Sequence, residues 1–303
     1  MRKYLSLSVI LFYFFSTFSI AQVGVKLNSF TPEEVGGYLK PLSTWFGTYL
    51  NSGTYYNADV DNIFGFKFSL IGLWTIIPED QKSFKPNPPT NAIGEIEQTA
   101  TVFGNHSGYF LSSQGFYTYP AGLSLKAVPL GIYQASASLF NTELMVRLFP
   151  RSSFGDVKIG IFGFGLKHEI SSHIPLLPLD ISVQFLYNNF YFEYVGKKTE
   201  NYTVINSNNI AFNVHASKTL AGIFIAYGGL QFESSSTDLK YYFEDQHGLY
   251  PQRGNRIYNV EIDGDNHFRF TVGAALKLGF FVINADVNLT KLTTFTTGLS
   301  FDF

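Results

Sequence analysis

Two short stretches of the chain place side chains together that could do chemistry. Ser171-Ser172-His173 offers a hydroxyl nucleophile and a base. Neighbouring residues of a strand point to opposite faces, however, and no acidic partner stands at a fixed spacing. Asp263-Gly264-Asp265-Asn266 places oxygen ligands around a glycine, as calcium loops do, without the rest of an EF-hand pattern. We expect a turn at the first stretch, a polar hairpin loop at the second, and no enzyme activity.

The rest of the chain does not indicate metal, thiol or nucleic-acid chemistry. It contains no cysteine, which excludes thiolate metal sites and disulfides. His106, His247 and His267 lack the spacing of metal ligands. The formal net charge of −2 does not suit a nucleic-acid binder, which needs a basic surface. We therefore expect no metal, no cofactor and no nucleic-acid partner.

A larger set of charged and amide side chains lies in segments where polar and apolar residues alternate. The alternation is clearest at 179–191, 267–278, 281–289 and 295–303. This pattern, with aromatic residues towards the segment ends, is typical of transmembrane β-barrel strands, whose apolar side chains face lipid. The remaining side chains would line the lumen: Lys67, Gln134, Glu143, Arg147, Asp180, Gln184, His215, Arg269, Lys277, Asn284 and Asp286. Because they carry both signs, they could fill a salt-bridged interior or form a polar conduit.

Composition and connection lengths favour a barrel over the alternative, a secreted β-sandwich, whose strands also alternate. Charged residues make up only 15% of the chain, and Phe and Tyr number 32 and 19. No apolar run after the N-terminus is long enough for a membrane-spanning helix. Short connections at Asn141, 217–219 and Gly279 contrast with long ones at 78–128 and 234–266. Barrels of the outer membrane combine short periplasmic turns with longer outer loops in the same way.

We predict an all-β fold, a transmembrane antiparallel up-and-down barrel formed by residues 59–303. About ten strands are expected: 64–76, 128–139, 142–149, 157–170, 179–192, 202–217, 220–232, 267–278, 280–288 and 294–303. An even number places both chain ends on the periplasmic side. The number of strands could rise to 12–14 if further strands form at 95–103 and at 239–243 with 256–262. The final aromatic residues, Phe301 and Phe303, resemble the signal that the outer-membrane assembly machinery recognises.

The first 21 residues are expected to be a signal peptide. Arg2 and Lys3 precede an apolar stretch at 5–20, and Ser19 and Ala21 are the small residues expected before a cleavage site. Export and the barrel pattern together predict a location in the bacterial outer membrane. The expected partners there are the membrane lipid and the assembly machinery.

Residues 22–58 are expected to form a separate segment that contains one helix. Thr31 can cap this helix, Pro32 suits its first turn, and Glu34 completes a capping box. An apolar stripe along it includes Leu39, Leu42 and Phe46. We expect the helix either inside the lumen as a plug or across the periplasmic mouth. With such a plug, five apolar residues at possible inward positions point to a path for an apolar ligand: Phe162, Leu166, Leu186, Phe190 and Phe192.

Several motifs resemble those of a known family. They are the Thr31-Pro32-Glu33-Glu34 helix start, Tyr119-Pro120-Ala121-Gly122, and Thr142-Glu143-Leu144 running into Arg147-Leu148-Phe149-Pro150. Over most of the exported chain the sequence resembles an uncharacterised family of Bacteroidota outer-membrane β-barrels, a domain of unknown function. That family is distantly similar to the long-chain fatty-acid outer-membrane transporters. The resemblance to those transporters implies a 14-stranded barrel, an N-terminal plug and lateral release of hydrophobic substrates.

The function we expect is a channel or transporter for small hydrophobic molecules, with such a molecule as ligand. The alternative is a structural or accessory barrel that docks other envelope proteins through its long outer loops. The two alternatives differ in whether any solute passes the barrel, which the sequence does not decide.

Overall fold

The computed structural model describes residues 27, 30–87, 92–94, 97–113, 115–174, 176–196, 202–245, 248–250 and 252–303. Helix α1 spans Pro32–Leu50. The strands, in chain order, are β1 Gly65–Ile76, β2 Ser83–Phe84, β3 Ala92–Ile93, β4 Thr99–Ala100, β5 Tyr109–Ser112, β6 Gly115–Thr118, β7 Ala127–Leu139, β8 Thr142–Phe154, β9 Val157–Glu169, β10 Asp180–Val195, β11 Tyr202–Leu220, β12 Phe224–Phe243, β13 Arg256–Asp263, β14 Phe268–Leu278, β15 Phe281–Leu289 and β16 Thr294–Asp302. The expected signal peptide lies outside the described residues. No helix in the described part of the chain is long and apolar enough to cross a membrane.

Ten of these strands close into an antiparallel barrel. Each pairs with its neighbours in the order β11-β10-β9-β8-β7-β1-β16-β15-β14-β12, and β12 pairs back onto β11. The ten strands expected from alternation correspond one for one to these ten, so the predicted fold class is confirmed. The 14 strands implied by the transporter resemblance are not formed by the described residues.

The barrel wall is apolar on the outside and polar on the inside. Along β1, Phe68, Leu70 and Trp74 point outwards and are 40–51% exposed, whereas Lys67 and Ser69 point inwards and are 5–6% exposed. A membrane supplies the apolar surroundings that such an outer surface needs. Closure also pairs the backbone polar groups between strands, which lipid would leave without partners at an open sheet edge. The wall is therefore built to span a membrane.

The two ends of the barrel differ. At one end, here called the turn end, tight connections follow β7, β11 and β14, and β16 finishes at Asp302. The β7–β8 turn uses Phe140 and Asn141, whose positive φ values of 52° and 57° are those a two-residue type I′ hairpin requires. The turn expected at 217–219 lies instead at 221–223, because β11 continues to Leu220. The opposite end, here called the loop end, carries the long connection 77–126.

At the loop end the wall is longer than a membrane crossing requires. Strands β11 and β12 have 19 and 20 residues, whereas about 9–11 residues suffice to cross a bilayer. Strand β13 pairs with the far part of β12, from Ser236 to Phe243. The expectation that 234–266 is a loop is therefore wrong, as is the possibility that 239–243 and 256–262 add strands to the closed barrel. Of the described residues in 95–103, only β4 forms a strand, a two-residue pair with β2.

The connection 77–126 folds over the loop end. It contains the β2–β4 pair and a small β3–β5–β6 sheet. Val102 and Phe103 of this connection are buried, and the Val102 N–H donates a hydrogen bond to the Tyr38 carbonyl of α1 (3.0 Å). The loop therefore packs directly against the N-terminal segment.

Candidate functional site: the N-terminal segment in the lumen

Helix α1 lies inside the lumen with its N-terminus at the loop end. There the Glu34 carboxylate accepts a hydrogen bond from the Tyr119 hydroxyl of the covering loop (2.7 Å). The Phe30 carbonyl accepts one from Tyr241, in the extension of β12 (2.8 Å). Of the two placements left open by the sequence, the helix takes the lumen and not the periplasmic mouth. Because β1 begins at the turn end, the segment must run the length of the barrel.

The start of α1 is held by a capping box. The Glu34 N–H donates to Thr31 Oγ1 (3.3 Å), and the Thr31 N–H donates to Glu34 Oε2 (3.0 Å). The helix continues through Pro41 to Leu50. Burial raises the pKa of the Glu34 carboxyl, although hydrogen bonds from Thr31 and Tyr119 oppose that shift. The cap fixes the helix start beneath the loops.

The apolar stripe of α1 packs against the wall. Leu39 and Phe46 are buried, and Leu42 is partly buried against the same cluster. The Phe46 ring stacks on Phe190 of β10, with the ring centroids 4.4 Å apart. The outer half of the lumen is thus a packed aromatic core.

The five apolar residues expected along a ligand path divide between the two faces of the wall. Leu186, Phe190 and Phe192 are buried and point inwards, but Phe162 and Leu166 are 46% and 44% exposed. Phe162 lies opposite Asn189 and Leu166 opposite Phe185. Directly opposed residues share a face of the sheet, and Phe185 belongs to the exposed outer face. The inward placement of Phe162 and Leu166 is therefore wrong.

Arg147 of β8 binds the C-terminus of α1. Its guanidinium donates to the carbonyls of Leu50 (2.7 Å), Ser52 (2.9 Å) and Gly53 (2.9 Å). It also donates twice to Gln134 Oε1 on β7. The last carbonyls of a helix lack partners within it and carry partial negative charge. Arg147, which is fully buried, supplies both the donors and the positive charge.

Arg269 of β14 makes a second attachment on the same turn of the helix. It donates to the Thr48 carbonyl (2.8 Å) and to the Ser52 hydroxyl. Its charge is paired with Glu233 of β12, at 2.8 Å. The side chain of Asn51 links this pair to Asn188 of β10, accepting from Asn188 and donating to Glu233. Two wall arginines thus converge on the end of α1.

Below α1 the chain continues down the lumen, bonded to the wall at each step. Contacts in order are Thr54 with Gln184, Tyr55 stacked on His215, Tyr56 with Asp302, the Ala58 N–H with Ser217, and the Val60 N–H with Glu169. Near the turn end, the Asn62 carbonyl accepts from the Phe140 N–H (3.1 Å). The segment therefore crosses the whole barrel.

Glu143 forms the centre of a buried charge cluster in the inner half of the lumen. Its Oε2 lies 3.1 Å from Lys67 Nζ of β1 and 3.1 Å from Lys167 Nζ of β9. A cavity beside this cluster has a volume of about 20 Å³, enough for about one water molecule.

The structure places the other predicted residues as follows. Asp286 is buried and accepts from Tyr227 (2.9 Å), and Lys277 is 3.3 Å from Asp302. Asp180 is partly buried at the start of β10. Phe301 and Phe303 lie on the outer face of the wall, and Phe303 is 67% exposed. Arg147, Gln184, His215 and Arg269 contact the N-terminal segment directly.

Sequence reasoning missed several residues of this interface. Glu233 falls between the predicted strand 220–232 and the predicted connection 234–266, although its alternation with Gln231 and Ser235 is the same signal that identifies the other lumen residues. Lys167 and Glu169 lie in a strand with apolar residues on both faces, so their orientation follows only from its pairing. Tyr55 belongs to no periodic segment, and no sequence signal marks it.

The side chains of the two stretches, 171–173 and 263–266, contact other parts of the chain in the structure. Ser171 donates to Glu169 (2.8 Å), whereas His173 faces His168, with 3.3 Å between their Nε2 atoms. Asp265 forms an ion pair with Lys40 of α1 (2.9 Å). His106 lies 3.7 Å from Glu97, and His247 lies outside the described residues.

The full chain, residues 1–303, matches a family of unknown function, DUF6588. The chain belongs to this family. No curated protein matches the chain. Several solved structures match the chain, but only at low similarity. The Escherichia coli outer-membrane protease OmpT is 8% identical, covering 83% of this chain and 99% of its own, with a TM-score of 0.33.

Two further solved structures are similar at the same level. The transport unit of the autotransporter AIDA-I from Escherichia coli is 8% identical, over 90% of this chain and 98% of its own, with a TM-score of 0.32. The Ralstonia pickettii toluene transporter TbuX is 9% identical, over 91% of this chain and 98% of its own, with a TM-score of 0.24. At these scores the fold of the DUF6588 chain rests on its own strand pairing.

Proposed function

We propose that this DUF6588 protein is an outer-membrane barrel that admits small hydrophobic molecules into the outer half of its lumen, with α1 as a movable plug. In this proposal the loop end faces the cell surface and the turn end faces the periplasm, following the rule of short periplasmic turns. The barrel is closed at rest and opens when α1 leaves its position.

The observation that carries the proposal is the division of the lumen into two layers. Much of the wall around α1 is apolar, with buried Ile161, Phe190 and Leu239, although hydroxyl groups such as that of Thr237 also meet the helix. From Leu50 downwards, the hydrogen bonds that hold the segment come from charged, amide and hydroxyl side chains of the wall, beginning with Arg147. A space vacated by α1 would be lined by apolar side chains and bounded below by polar ones. Sites for small molecules have this composition.

Unpaired polar atoms on α1 favour its displacement. The Tyr38 hydroxyl, Trp45 Nε1 and Thr48 Oγ1 are buried without a hydrogen-bond partner in the part of the chain that the structure describes. A buried donor without a partner costs about 1–3 kcal/mol. Exposure to water, or to a ligand with an acceptor, would remove that cost.

A reversible disulfide between α1 and the wall tests whether the helix moves. Ser43 Oγ and Thr237 Oγ1 lie 2.9 Å apart, so cysteines at both positions can form a bond of about 2.05 Å with little movement. The natural chain has no cysteine, so no other disulfide competes. We expect the oxidised Ser43→Cys/Thr237→Cys variant to lose uptake of a fluorescent hydrophobic dye into cells, and reduction to restore it.

A matched control locks two wall strands without touching α1. Ser69 Oγ on β1 and Ser300 Oγ on β16 lie 2.7 Å apart, and the Ser69→Cys/Ser300→Cys variant should take up dye equally in both redox states. Equal dye uptake by the oxidised and reduced forms of the 43–237 variant would contradict movement of α1.

A second candidate is the accessory barrel, which transports nothing and docks envelope proteins at its loops. The hydrogen bonds that attach residues 54–62 to the wall favour the accessory barrel. A segment held in this way would stay in the lumen and keep it closed. This candidate predicts no dye uptake by any variant, and a partner protein that co-purifies in stoichiometric amount with the intact chain.

A further inference from the structure

The outer surface of the wall contains a groove beyond the membrane-spanning part. It has a volume of about 600 Å³, within the range of ligand sites. The groove is formed by the ends of β8 and β10 and by the extensions of β11, β12 and β13. Six of its lining residues carry the argument: Arg151, Tyr191, Asn206, Asp238, Lys240 and Glu261.

The polar side chains of the groove form a row across four strands. Tyr191 lies opposite Asn206, Asn206 opposite Asp238, and Asp238 opposite Glu261. Directly opposed residues in an antiparallel sheet share a face, so all four point outwards. Lys240, two residues beyond Asp238, points the same way in the next row.

Arg151 extends this row by one strand. Its guanidinium lies 4.0 Å from the centroid of the Tyr191 ring. To reach it, the side chain crosses Gly160 of β9, where an added Cβ would lie 2.6 Å from Arg151 Cγ. Glycine at this position therefore allows the arginine to lie flat on the wall, as one end of the groove.

The chemistry of the groove suits a polyhydroxylated ligand. Arg151 and Lys240 balance the charges of Asp238 and Glu261, so the groove has no excess charge that would select a polyanion. The side chains of Asp238 and Lys240 are exposed at the surface of the groove. Charged and amide groups beside tyrosine rings offer donors, acceptors and ring faces, which sugar hydroxyls and sugar rings can use.

The groove is continuous with the lipid-facing surface below it. On β12, Leu230 and Phe232 are exposed apolar residues of the outer face, and Asp238 and Lys240 follow on the same face. From Phe232 to Lys240 the strand rises about 27 Å at 3.4 Å per residue, less when corrected for strand tilt. A molecule can therefore occupy both regions only when the polar part that joins the groove to its chains is about 20 Å or more long, as an oligosaccharide headgroup is.

We propose that this groove binds the saccharide headgroup of a glycolipid of the outer leaflet, with its acyl chains lying on the apolar belt beside Leu230 and Phe232. The inference rests on the orientation given under the proposed function, which places the loop end at the cell surface. It does not depend on whether α1 moves.

Native mass spectrometry of the detergent-refolded full chain tests the proposal. The probes are purified rough lipopolysaccharide, its delipidated core oligosaccharide, and phosphatidylglycerol. We expect retention of lipopolysaccharide, weaker retention of the oligosaccharide and none of phosphatidylglycerol. The Asp238→Ala/Lys240→Ala variant, whose net charge is unchanged, should lose lipopolysaccharide affinity by roughly tenfold or more, as expected from two lost charged hydrogen bonds.

The control is Asp80→Ala/Lys291→Ala, which removes an exposed ion pair at the loop end, outside the groove. It should bind lipopolysaccharide as the natural chain does. Equal retention by the groove variant and the natural chain would overturn the site. Retention of phosphatidylglycerol as strong as that of lipopolysaccharide would overturn the sugar specificity and would also question the orientation. The dye-uptake results would be unaffected by either outcome.

Discussion

Replacing Arg147 by methionine should release the C-terminal end of α1 from the wall. Methionine approximates the length of the arginine stem but donates no hydrogen bond. The carbonyls of Leu50, Ser52 and Gly53 would then be buried without the donors that Arg147 now provides. These groups regain partners only when the helix end moves towards water, so the substitution favours the displaced plug.

The magnitude follows from the attachment that is lost. A buried carbonyl left without its donor costs about 1–3 kcal/mol, so the three carbonyls that Arg147 now satisfies together cost about 3 kcal/mol or more. At the lower limit of about 3 kcal/mol, the population with α1 displaced rises about 100-fold, because each 1.4 kcal/mol is a factor of ten. Arg147→Lys keeps the charge and part of the hydrogen bonding, so it should give a smaller increase.

Hydrogen–deuterium exchange of the α1 peptide in detergent measures this population, since amides protected by local structure exchange through opening. The control is Lys277→Met, which removes a wall cation paired with Asp302 that does not contact α1. Both variants should remain heat-modifiable barrels. If α1 exchanges at the same rate in Arg147→Met as in the natural protein, Arg147 does not hold the plug and the reasoning fails.

Four further predictions concern other parts of the chain. Deletion of residues 29–62, which removes α1 and the segment below it, should leave a folded barrel with higher conductance in planar bilayers, since the strands pair without them; an unchanged conductance would count against the plug. Replacing Phe303 by aspartate should reduce the heat-modifiable form in outer-membrane fractions, and normal levels would argue against an assembly role. A cysteine at Asn87 should react with an impermeant reagent on intact cells and one at Gly279 should not; the opposite pattern would reverse the orientation. Burial raises the pKa of Glu34 above 4.5, so between the two pKa values the folded state binds more protons than the unfolded state. The stability measured by thermal unfolding should therefore fall as the pH rises above 4.5, and Glu34→Gln should remove this fall.

Local patterns in the sequence determined the wall and the start of the helix. A strand places successive side chains on opposite faces. In a wall between lipid and a polar lumen, polar and apolar residues therefore alternate along the sequence, as Arg269 and Phe270 do. The capping box needs only Thr31 and Glu34, three residues apart. Each of these features depends on close neighbours in the chain.

Tertiary structure alone decided what fills the barrel and from which end. The entry of α1 at the loop end depends on attachments between residues far apart in sequence, such as Arg147 with Leu50 and Tyr241 with Phe30. Strand β9 is apolar on both faces, so only its register with β10 placed Phe162 outside. The extension of β12 likewise became visible only through its pairing with β13, because a strand that leaves the membrane loses the apolar face by which alternation identifies it.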